Sequence, residues 1–244
     1  MKIGVKTYGD GKFLENFRKK ADFFEVMALE GRDYSFLRQF SEVPIIIHAQ
    51  HYIFGDNPAD KSRIEKNALS INFARGVADL AGAKRIILHP GIISNGSCSE
   101  EHSASFIRSL KDKRIIIENQ PHFKEFSCLC TTPENTGEFI RKTGTGLCLD
   151  INHAIETAFM KGIDCNKLIK EFIKLKPVHY HLGGQRLDKG ADGRILSHLP
   201  FQDSILNLKE ILGFLPENAE ITLETEPDIE KTEDDLSRVR MQAF

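Results

Sequence analysis

Short apolar runs, rich in β-branched residues, recur along the chain, each followed by a longer charged segment. The runs are KIGVKTY (2–8), FFEVMAL (23–29), PIIIHAQ (44–50), RIILHPG (85–91), RIIIENQ (114–120), GLCLDIN (146–152), PVHYHLG (177–183) and AEITLET (219–225). Runs of this length bounded by turn residues predict strands. Between them apolar residues recur at helical spacing, as in SRIEKNALSINFARGVADLAG (62–82), stopped at Gly82, and NKLIKEFIKLK (166–176), stopped by Pro177. SILNLKEILGFL (204–215) reads the same way, and DIEKTEDDLSRVRMQAF predicts a closing helix with acidic residues in its first turn. Eight strands alternating with eight helical segments predict parallel pairing and a single (β/α)8 TIM barrel domain over residues 1–244. The first strand is followed by TYGDGKFLENF, which has Gly9 and Gly11 but no third glycine of a dinucleotide-binding loop. An open Rossmann sheet is therefore disfavoured.

Composition narrows the function classes. With 33 basic and 35 acidic residues the formal net charge is −2, so the chain as a whole is not drawn to nucleic acid or to an anionic membrane. No stretch approaches a membrane span and no secretory leader is recognisable at Met1, so a cytoplasmic protein is expected. Five scattered cysteines argue for a reduced compartment, and Cys128 and Cys130 read as inert loop thiols rather than a metal site.

In a barrel of this kind chemistry gathers at the carboxyl ends of the strands. Those ends carry His48, His89, Glu118, Asp150, His181 and Glu224, and alternation along each strand allows all six to face one mouth. Three carboxylates brought together repel unless cations intervene. Three acids with three imidazoles form a donor set for divalent ions, with zinc or manganese the best match and one to three ions expected. His51, His102, His122 and His179 are weighed as ordinary rim or core histidines. No serine lies in a G-x-S-x-G turn, so covalent catalysis has no positive signal.

The motifs LHPG (88–91), IIIEN (115–119), GLCLDINHA (146–154), HYHLGG (179–184) and ITLETE (221–226), taken in order, resemble the xylose-isomerase-like barrel superfamily, with its endonuclease IV-like and sugar isomerase/epimerase-like branches. The resemblance implies that Glu118, Asp150, His181 and Glu224 hold one metal. It further implies that His48 and His89 complete a second site bridged by Glu118, as in the endonuclease IV-like branch. His153 matches the histidine of a D-x-x-H pattern that takes either a third metal or a sugar hydroxyl. The endonuclease branch carries a D-x-H pair after strand seven. Here ADGRILSHLPF (191–201) offers only Asp192 and His198, six apart, with Arg194 where that histidine is expected. Glu25 in FFEVMALEG stands where isomerase-like members commonly carry a glutamate.

Three readings follow. The leading one is two-metal hydrolysis of a phosphodiester, with abasic DNA as the substrate the resemblance implies. The alternative is isomerisation or epimerisation of a small sugar or sugar phosphate, with one metal, Glu118 and Glu224 moving a proton, His153 orienting the substrate and Arg186 or Arg194 binding a phosphate. The third is a metal-bearing binding protein without turnover, which the intact ligand set argues against.

Overall fold

The computed structural model describes residues 1–123, 126–189 and 195–243. Eight parallel strands close into a barrel: β1 (Lys2–Thr7), β2 (Phe23–Ala28), β3 (Ile45–Ala49), β4 (Ile86–Leu88), β5 (Ile115–Glu118), β6 (Gly146–Asp150), β7 (His179–Leu182) and β8 (Glu220–Leu223). They follow one another in chain order around the barrel, and β8 pairs with β1 to close it. The helices outside are α1 (Gly11–Phe17), α2 (Ile64–Ala81), α3 (Glu100–Ser109), α4 (Pro133–Thr143), α5 (Ile151–Lys161), α6 (Cys165–Ile173), α7 (Leu208–Phe214) and α8 (Ile229–Ala243).

Strict alternation of strand and α-helix fails at two places. The short connection from β2 to β3 forms only a 3-10 helix, Ser35–Phe40, before Pro44 starts the next strand, whereas both α5 and α6 fit between β6 and β7. Two small ribbons extend the mouth: Ile92–Ile93 with Ser127–Cys128, and Gly184–Lys189 with Ile195–Leu199. No helix among the described residues is long and apolar enough to cross a membrane.

The two-residue period of the strands explains why one barrel has two interiors. Residues such as Val5, Phe24, Ile47, Leu88, Ile117, Leu149, Leu182 and Leu223 face outward into the packed layer beneath the helices. The alternate residues face the barrel axis. At the bottom they are apolar, with Phe23, Ile46, Ile87, Ile116 and Cys148 forming a separate buried cluster. Burying side chains of this size contributes about 1.5–3 kcal/mol each. Gly4 leaves room for the Phe23 ring, which a Cβ there would strike. One step further up each strand the inward residues turn polar, and the site begins there.

Candidate metal centre

Lys6, Glu25, His48, Glu118, Asp150 and His181 lie on successive inward positions of their strands, and His89 and Glu224 immediately follow β4 and β8. Cross-strand register puts Lys6 beside Glu25 and Asp150 beside His181. The motif residues between them fasten the frame. Asn119 donates to the Asp150 carbonyl (2.9 Å) and accepts from the Asp150 amide (2.7 Å), tying β5 to β6. Asn152 accepts from the Gly183 amide (2.7 Å), tying α5 to the loop after β7. Asp150 Oδ1 caps α5 by accepting from the His153 main-chain amide (2.7 Å). In LHPG, Gly91 has φ +104°, and a Cβ would strike the Asn57 side chain that holds the Ile92 amide.

Glu118 is the hub. Its Oε2 lies 2.9 Å from His48 Nε2 and 3.2 Å from His89 Nε2, and its Oε1 lies 3.3 Å from His153 Nδ1. His181 Nδ1 lies 2.6 Å from Glu224 Oε2, 3.6 Å from Glu118 Oε2 and 3.8 Å from Asp150 Oδ2. Burial alone would raise the Glu118 and Glu224 carboxyls. His89, His181 and His48 hold the first well below the usual carboxylate range, and Lys6 and His181 do the same for the second. Burial opposes a charge on His181, yet Cys148, Glu25, Glu224 and Glu118 together push it well above the ordinary histidine value. Burial lowers His89, against the opposing pull of Glu118.

The tautomers are set by neighbours that can only accept. His48, His153 and His198 each donate Nδ1–H to a main-chain carbonyl, of Ala49 (2.7 Å), Asn119 (2.8 Å) and Glu224 (3.1 Å) respectively. His153 and His198 therefore present Nε2 as the free nitrogen, whereas Nε2 of His48 meets Glu118 Oε2 at 2.9 Å.

Three groups of donors at the mouth are spaced for an ion, each with its donor atoms within 4.8 Å of one another: Glu118–Asp150–His181–Glu224, His48–His89–Glu118 and Asp150–His153–His198. Glu118 Oε1, Asp150 Oδ2, His181 Nδ1 and Glu224 Oε2 are all buried without a directed hydrogen bond. All four belong to residues of the first group. Orphaned polar atoms of this kind are costly in a dry interior, and a dication removes the cost. The residues fit such an ion.

His198, offered by the sequence as a possible donor to a third ion or a substrate, lies beside Asp150 and His153. It reaches the site from the ribbon strand Ile195–Leu199, 3.9 Å from Asp150 Oδ2 and packed edge-on to His153, while Leu196 stands two residues before it. A left-handed φ of 56° at His198 turns its side chain in, which counting along the loop could not reveal. Asp192 and Arg194 lie outside the described residues. Arg186 does not line the cavity; it is exposed and pairs with Asp188 at 2.7 Å, because the ribbon carries it away from the mouth. Arg32, on the loop after β2, lines it instead.

The mouth opens into a cavity of about 730 Å³, walled by Tyr8, Arg32, His51, Phe54, Phe123, Glu156 and Glu226 around His89, Glu118, His153, His198 and Glu224. His51 stacks on His89 with ring centres 4.6 Å apart, on the cavity wall, a placement that a lone loop histidine did not announce. His179 is a core histidine as expected, its Nε2 bonded to Thr222 Oγ1 at 2.8 Å. Lys6 went unread, although the strand-end rule that selects Glu118 selects it equally.

Solved structures align along the whole chain. Endonuclease IV from Thermus thermophilus superposes with a TM-score of 0.75 at 18% identity, covering 99% of this chain and 98% of that one. A D-tagatose 3-epimerase-like protein gives 0.73 at 22% identity over 100% of both. The TTHB071 protein, also from Thermus thermophilus and soaked with ZnCl2, gives 0.67 at 16% over 100% and 98%. The fold is the xylose-isomerase-like barrel. Identities this low establish a shared fold, and the xylose-isomerase-like barrels aligned here include both an endonuclease and an epimerase-like protein. No protein-family model and no curated protein matches the sequence.

Proposed function

We propose that this protein is a divalent-metal-dependent enzyme that hydrolyses a phosphodiester, with an abasic site in DNA as the substrate class. The observation that carries the reading is the pair His48 and His89 on one oxygen of Glu118, beside the group in which Glu118 also joins Asp150, His181 and Glu224. This is a donor set for two ions sharing one carboxylate. Ions bound there would supply Lewis-acid activation of a water and of a phosphoryl oxygen.

The protein's own residues do the remainder. His48 and His153 are oriented by their carbonyl acceptors before any ligand arrives. Glu224 is engaged by Lys6 at Oε1 and by His181 at Oε2, and Glu118 by three histidines. His153 and His198 face the cavity with free Nε2 atoms, suited to a third ion or a substrate oxygen.

The sugar isomerase or epimerase reading draws support from a different observation. Among the described residues lining the cavity Arg32 is the one Arg or Lys, set against Glu156 and Glu226, and a volume of about 730 Å³ suits a small ligand.

Metal stoichiometry decides first. Two or more equivalents per chain, falling to one in His89→Ala, are expected; a single equivalent in the native protein would overturn the two-metal reading. Turnover on abasic duplex DNA is then compared with ketoses and their phosphates. Cleavage of abasic DNA that persists in Glu118→Gln would show that this centre is not responsible.

A further inference from the structure

The part of the mouth built from β7, β8, β1 and β2 contains a closed ring of four side chains. Lys6 Nζ lies 2.8 Å from Glu224 Oε1 and 3.1 Å from Glu25 Oε1. Glu25 Oε2 lies 2.9 Å from His181 Nε2, and His181 Nδ1 lies 2.6 Å from Glu224 Oε2. Thr222 Oγ1 adds a bond to Glu25 Oε2 at 2.7 Å. Three members are sealed from solvent, and Glu224 alone reaches the cavity, with 20% of its side chain exposed.

A ring of this kind is a poor device for stability. Buried ion networks are commonly matched by apolar residues of the same volume. What the ring does is directional. The carboxylate of Glu25 can only accept, so it takes the Nε2–H of His181 and leaves Nδ1 facing Glu118, Asp150 and Glu224. Lys6 can only donate, so it occupies Oε1 of Glu224 and leaves Oε2 on the side of His181.

We propose that Glu25 is the positioning residue of the centre, with Lys6 as its partner: Glu25 fixes the His181 tautomer, and Lys6 selects which oxygen of Glu224 is offered to an ion. This rests on the metal-binding reading above. It assigns Glu25 no contact with substrate, in contrast to a branch marker for sugar chemistry.

The test uses Zn²⁺ alone as probe, with affinity measured by chelator competition. Glu25→Gln keeps the shape and loses the charge, and its Zn²⁺ affinity is expected to fall about 10–100-fold, as for other groups that orient a ligating histidine. Thr222→Val removes one bond to Glu25 at nearly constant volume, and is expected to give a smaller loss in the same direction. The ¹⁵N shifts of His181 should report one tautomer with Nε2 protonated in the native zinc-loaded protein and a mixture in Glu25→Gln. Should Glu25→Gln fail to fold, Thr222→Val carries the same test. Native affinity and an unchanged tautomer in the variants would overturn the inference while leaving the metal reading intact. Failure of the native protein to bind Zn²⁺ would overturn both.

Discussion

Lys6→Met tests how the mouth tolerates its own charge. The substitution keeps an unbranched stem of similar length in a site where Lys6 is 4% exposed, so packing is nearly conserved and the ammonium is what disappears. Glu25 and Glu224 lose a cation at 3.1 and 2.8 Å. Removing one partner of a buried pair costs about 3–5 kcal/mol, because the other is left uncompensated. That is a large share of the roughly 5–15 kcal/mol that holds a typical protein folded. An unfolding entropy of about 2.1 cal/mol/K per residue converts it, for this chain length, to a fall in Tm of about 6–10 °C. Urea unfolding with chelator present reads the cost directly, and saturating Zn²⁺ should shrink it, since an ion beside Glu224 replaces part of the missing charge. The double variant with Glu25→Gln should lose at least about 1 kcal/mol less than the sum of the two single losses, because the partners share one interaction. Strict additivity, or a Lys6→Met protein within about 0.5 kcal/mol of native in chelator, would refute the reasoning.

Two further predictions concern the frame. Asp235 is fully buried on α8 and accepts from the Phe201 amide at 2.7 Å, and burial raises its pKa to about 6. A raised acid pKa means that the native state binds the proton more tightly, so this group's contribution to stability is greatest below about pH 4 and is lost as pH climbs through about 6. The loss is at most about 3 kcal/mol, and about 1–2 kcal/mol with solvent screening; Asp235→Asn should be more stable than native at pH 8 and indistinguishable at pH 4, and equal stability at both would sink the idea. Gly91→Ala forces a Cβ against Asn57 at a φ of +104°; an unfolding midpoint lowered by the equivalent of about 1–3 kcal/mol is expected, and an unchanged midpoint would contradict the geometry.

Most of this architecture was legible in the sequence because a barrel strand repeats every two residues. The aliphatic outer set and the polar end of the inner set can both be read from a run such as RIIIENQ or GLCLDIN. The six strand-end donors His48, His89, Glu118, Asp150, His181 and Glu224 were found by that rule, and the structure brings them together. Strand ends were overread by one to three residues, since β4 stops at Leu88 and β5 at Glu118 where the ribbons and ligand-bearing loops begin. His198 was legible as a candidate, but its approach to His153 depends on the ribbon strand that carries it, which has no periodic signature. Lys6 was passed over for a physical reason: a lysine in a strand ordinarily carries its charge to water, and only the partners contributed by β2 and β8 explain why this one does not.

The Lys6–Glu224 contact joins residues 218 positions apart across the seam where β8 meets β1. The four-donor group draws on β5, β6, β7 and β8, and Glu224 comes at the end of the last of them. A chain folded through β7 would hold His48, His89 and Glu118 yet lack the ring. Contacts of such separation form late, after the loop-closure entropy of the whole barrel has been overcome. On the proposed metal-binding reading, ion capture by the four-donor group would therefore be coupled to circularisation of the sheet, and loading with metal would report that the last strand has docked.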